Sequence, residues 1–149
     1  MNLAFGVTEL SVRRDGYHPV AYTEGWLEVS HGGRMWVHID DMLPIEFAIV
    51  LEGWFRTLQS RPNAPLYYAS MDFEEAPLLA VRVESPETVY VSSAWADEPL
   101  RFQSLEEVLI ALRRYTVELS RVLDVRHAFD LRAIIERNIG TEGDERQNR

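Results

Sequence analysis

From Tyr22 to Asp40 the chain reads YTEGWLEVSHGGRMWVHID, with apolar and polar positions alternating on either side of a glycine pair. Period-two alternation marks a half-buried strand, so the segment predicts a β-hairpin with strands over residues 20–30 and 34–39. A three-residue loop, His31-Gly32-Gly33, would set Ser30 opposite Arg34, Glu28 opposite Trp36 and Trp26 opposite His38. Leu27, Val29, Met35, Val37 and Ile39 then share one face, whereas a two-residue loop would mix apolar and polar residues on both. The other face carries Tyr22, Glu24, Trp26, Glu28, Trp36 and His38. It sets two tryptophans among carboxylates on the side that should meet water.

The same reading extends along the chain. A first strand is predicted over residues 3–12, ended by the turn signal RRDGYHP. Residues 41–59 predict a helix with Pro44 in its first turn and Glu46 near its positive end. Phe47, Leu51, Trp54, Phe55 and Leu58 recur there at helical spacing as a core stripe, and Gly53 suggests a place where a strand passes close. Strands follow over 66–72, 78–85 and 88–96, joined by links short enough for antiparallel neighbours. Ser104 and Glu107 form a capping box that opens a long helix with a buried stripe from Leu105 to Leu123. Residues 124–140 continue that helix or restart it after a bend near Asp124, with Gly140 as a stop. The order β-β-β-α-β-β-β-α predicts a single α+β domain over residues 1–140. It is pictured as a mostly antiparallel sheet of about six strands with two or three helices on one face, and residues 141–149 form a flexible tail.

Charge narrows the function classes. The net charge is −9, and every one of the fifteen basic residues is arginine. The imbalance lies wholly in residues 1–100, since residues 101–149 hold nine acidic and nine basic residues. An acidic surface repels phosphate backbones and anionic lipid and steers cationic partners inward, so neither nucleic acid nor membrane is expected as a partner. The absence of lysine removes Schiff-base and P-loop chemistry, and the absence of cysteine removes thiol nucleophiles and disulfides. No apolar run is long enough to span a bilayer and the first residues lack a signal-peptide pattern, so a cytoplasmic protein is expected.

Catalytic signals are weak. There is no GxSxG, HExxH or GxGxxG motif, and no metal or other cofactor is expected. Asp40-Asp41 and the cluster Asp72, Glu74, Glu75 read as solvated turns. His127 and Asp130, three apart, read as a surface pair. The arginines of the last helical region are interleaved with acids, which makes a balanced surface and not a basic stripe. The chain therefore reads as non-enzymatic.

An open sheet face remains. To the hairpin residues, alternation adds Tyr68, Ser70, Asp72, Arg82, Glu84, Tyr90 and Ser92. Aromatic residues bury large area with few rotors, and carboxylates around them would hold a basic protein partner. In its layout the chain resembles the small acidic α+β immunity proteins that bacteria encode beside secreted polymorphic toxins. The likeness rests on the strand–hairpin AYTEGWLEVSHGGRMWVHID, the Pro-started helix LPIEFAIVLEGWFRTLQ, and APLLAVRV and VYVSSAW leading into SLEEVLIALRRYTVEL. It covers roughly residues 3–123, is one of arrangement and composition, and carries over no functional residue. It implies inhibition of one cognate toxin. Two other readings stand beside it: a homodimer closed through the same face, and a small-ligand or enzyme domain with a pocket using His38, Asp40 and Trp95.

Overall fold

The hairpin turns on two residues, not three. In a computed structural model, which describes residues 1–147, Gly32 and Gly33 have φ of +61° and +76°, and His31 pairs with Arg34. Positive φ at both central positions gives the mirror-image turn that suits the twist of a hairpin, and glycine adopts it without strain. The face-mixing that a two-residue loop implies is cancelled by a β-bulge. Ser30 pairs with Met35 but Val29 pairs with Val37, so Trp36 is the extra residue. Beyond it the phase is restored, with Leu27, Val29, Val37 and Ile39 buried. Met35, expected inward, lies before the correction and is 62% exposed. A second irregularity lies between the Gly25–Met42 and Leu27–Ile39 pairs, where Asp41 takes a φ of +55°.

The elements run β1 (Asn2–Glu9), α1 (His18–Tyr22), β2 (Glu24–His31), β3 (Arg34–Met42), α2 (Pro44–Ser60), β4 (Leu66–Tyr68), β5 (Leu79–Ser85), β6 (Thr88–Ser92), β7 (Leu100–Phe102), α3 (Leu105–His127) and α4 (Leu131–Gln147). The α+β class and the antiparallel pairing agree with the sequence pattern. The strands, however, form two sheets, β1-β2-β3 and β4-β5-β6-β7, in place of one sheet of about six. No backbone ladder joins the two sheets among the described residues, and side chains of the hairpin reach the loop before β7 and β7 itself. The Trp36 indole N–H donates to the Glu98 carbonyl (2.8 Å), and the His31 ring meets Phe102 edge-on at 4.9 Å. Beneath both sheets α2 and α3 close one continuous core, in which Tyr115 donates to the Pro44 carbonyl (2.9 Å) and packs against Phe5 and Phe47.

Several boundaries differ for local reasons. The expected long strand from Val20 starts only at Glu24, and its first residues belong to a short helix instead, because Pro19 presets helical φ at its first turn and the Tyr17 carbonyl accepts from Val20 and Ala21. β7 is only three residues long, too short to show alternation. Ser104 caps α3 as its sequence signature predicts, accepting from the Glu107 N–H (3.4 Å). That helix ends at Ala128, left-handed at φ +54°, where Phe129 N–H returns to the Leu123 carbonyl (3.0 Å). Asp130 then accepts from Ala133 N–H (3.1 Å) and starts α4, so it serves as a helix cap and not as a partner for His127. α4 runs through Gly140 to Gln147, so that glycine is not a stop; residues 148–149, the end of the expected tail, lie outside the described residues. Trp54 is the packing residue its stripe implies, buried and donating to the Ala64 carbonyl (2.9 Å). No strand lies against Gly53: a Cβ there would meet nothing within 4 Å.

Candidate functional site

On the outer face of the first sheet, β1 and β2 bring Gly6 directly opposite Trp26. A side chain on Gly6 would collide with the indole, since its Cβ would fall against Nε1 and Cε2. The missing side chain is therefore the seat of the ring. The other neighbour of Trp26 is His38, whose imidazole lies nearly parallel at 5.8 Å between centroids. His38 pairs across the strands with Glu28. One ring nitrogen, Nδ1, lies 3.2 Å from Glu28 Oε2, and Nε2 lies 3.0 Å from Asp40 Oδ1. The two carboxylates, Asp40 foremost and then Glu28, raise the histidine pKa above its ordinary value. An imidazolium held between two carboxylates is a poor general base. It leaves the cluster with a net negative charge and a half-exposed indole beside it.

The expected partner-binding residues divide into three groups. Trp26, Glu28 and His38 come together as predicted, and Asp40, set aside as a turn residue, completes their cluster. Glu24 stands at the bulged end of the β1–β2 ladder opposite Glu9, a further concentration of acid. Trp36 is half-buried and tied through the Glu98 carbonyl to the loop between β6 and β7, so it links the first sheet to that loop.

The second group sits on the other sheet. Arg82 pairs with Tyr90 and holds its guanidinium over that ring at 5.0 Å, with Glu84 at 3.7 Å. Arg101 follows on the far side of Tyr90. With two arginines around one tyrosine this patch is not acidic, and the acidic aromatic surface narrows to the first sheet.

The third group is placed elsewhere. Tyr22 is in α1 and stacks on His18 at 4.3 Å, away from the strand face. Asp72 lies in the turn after β4, its N–H donating to Ser70 Oγ (3.3 Å). Tyr68 is buried and donates to Glu46 Oε1 (2.6 Å), while Met71 N–H approaches Glu46 Oε2 (3.4 Å). Burial, and then the Glu46 carboxylate, push the tyrosine pKa well above its usual value. Its neighbour Tyr67 is the exposed one, at 63%. The signal for this was in the sequence. Leu66 shares a face with Tyr68 by alternation, and an apolar residue on that parity points inward.

Among the described residues no group of three or more His, Asp or Glu side chains is disposed to hold a metal ion. Within the same residues no helix is long and apolar enough to cross a membrane. Residues 4–125 match the model of a family described as a domain of unknown function, DUF7878. No curated protein and no solved structure matches the chain.

Proposed function

The chain belongs to the DUF7878 family, and we propose that it is a non-catalytic, cytoplasmic protein-binding module of the immunity type, which engages a basic protein through the acidic face of its first sheet. The observation that carries this reading is the seating of Trp26 on Gly6 beside Glu28, His38 and Asp40. A bulky ring kept half-exposed on a strand face offers contact area at small entropic cost, and the carboxylates around it favour arginine- or lysine-rich partners. Bulges on both sides of Val37–Ile39 add to the case, because such irregularities re-aim side chains near functional sites. The reading assigns the partner by chemistry, a cationic protein surface, with a cognate toxin as the specific case. It is tested by co-expression with the product of the neighbouring gene. Rescue of the cells and a stable, salt-sensitive complex are expected. Failure of both overturns the reading.

A further inference from the structure

The edge of the first sheet is undefended along most of its length. β1 pairs with β2 alone, and from Asn2 to Thr8 it carries neither a charge nor a proline. Its register to β2 runs without interruption from Asn2 to Val7. Natural edge strands are kept from pairing by charge, proline, bulges or brevity. The other edges fit that rule: β4 and β7 have three residues each, and β3 is charged, bulged and linked through Trp36 to the loop before β7. Among the described edges β1 is the long one that stays uncharged, from Asn2 to Thr8, with a charge and a bulge only at its Glu9 end.

Beside this edge runs a groove of about 410 Å³, lined by Leu3–Val7 and by Glu118, Val122, Arg126 and His127 of α3. Its two walls match in length. Leu3 to Val7 spans roughly 13 Å as a strand, and Glu118 to Arg126 spans roughly 12 Å as a helix. Val122 lies midway between Glu118 and Arg126, as Phe5 lies midway along the strand wall. A two-fold axis through that centre exchanges the acid with the base.

We infer that β1 pairs antiparallel with β1 of a second copy, building a six-stranded sheet across the two-fold. Glu118 of each copy, which Arg121 of its own chain holds at 2.7 Å, then also faces Arg126 of its mate, and the two Val122 side chains meet at the axis. An isologous interface must be self-complementary, and this one is, both in charge and in hydrogen bonding. It leaves the Trp26 face free and does not depend on the function proposed for that face.

The test is sedimentation equilibrium of the full chain and four variants. The wild type is expected to dimerise at about micromolar concentration. Val122→Asp, Glu118→Arg and Arg126→Glu should each weaken the dimer by about tenfold or more, because each sets like charges or an unpaired charge at the interface. The double variant Glu118→Arg/Arg126→Glu should recover part of that loss, since it restores the pair across the two-fold although not the Glu118–Arg121 bridge within each chain, a rescue that damage to the fold would not produce. A monomeric wild type at about 100 micromolar overturns the inference and leaves the edge to a different chain. A dimer indifferent to Val122→Asp, or single losses that the charge swap does not rescue in any part, overturns it equally.

Discussion

Gly6 and Trp26 face each other across β1 and β2, and the indole occupies the space that a side chain on residue 6 would need. Backbone and ring have been matched across the strands, a contact that neither residue shows by itself. Alanine at position 6 should push the ring off its seat. Because the indole is half-exposed and can swing toward water, stability should change by less than about 1 kcal/mol. Trp26 emission should shift to longer wavelength, measured against Trp26→Phe to isolate that ring. An unchanged spectrum would mean that the seat does not position the indole.

Tyr68 and Glu46 make the opposite kind of contact, polar and buried. Tyr68→Phe keeps the ring and removes the donor, so Glu46 loses its shortest hydrogen bond inside the core. The expected cost is about 1–3 kcal/mol in denaturant unfolding. A neutral result would show that Met71 N–H and solvent suffice for that carboxylate.

His38 gives a pH signature. Its pKa is raised in the folded chain from an ordinary 6.5, chiefly by Asp40 and then by Glu28. The stabilisation from these pairs is therefore fully present below that ordinary value and is lost as pH rises through the folded one. Imidazole NMR titration should find a pKa above 6.5, lowered more by Asp40→Asn than by Glu28→Gln. The reverse order would contradict the assigned geometry. A basic partner meets two negative charges above the folded pKa and one below it, so its affinity should rise with pH.

Gly53 lies within α2, where an added Cβ meets nothing within 4 Å. Gly53→Ala should stabilise the protein by about 0.5–1 kcal/mol through helix propensity. A loss measured by thermal unfolding would point to a contact at that position.

Long periodic segments were legible in the sequence and short or compensated ones were not. The stripe of α2, the Ser104 cap and the inward set Leu27, Val29, Val37 and Ile39 follow directly from spacing. The hairpin loop was misjudged because alternation reports the phase on each side of a turn. The Trp36 bulge shifts that phase by one, which makes a two-residue loop look like three. The division into two sheets was hidden because hydrophobic alternation does not reveal which edges pair. The Trp26 cluster was half-visible. Parity placed Trp26, Glu28 and His38 together, but the Gly6 seat comes from pairing with β1, which the pattern of the hairpin could not supply.

The Trp26 face is where a basic protein is expected to bind. Calorimetric titration of wild type and Trp26→Ala against the neighbouring gene's product, with melting temperatures recorded for both, decides it. Binding at least about tenfold weaker for the variant, at a near-normal melting temperature, is expected. Equal affinity for the two proteins would contradict it.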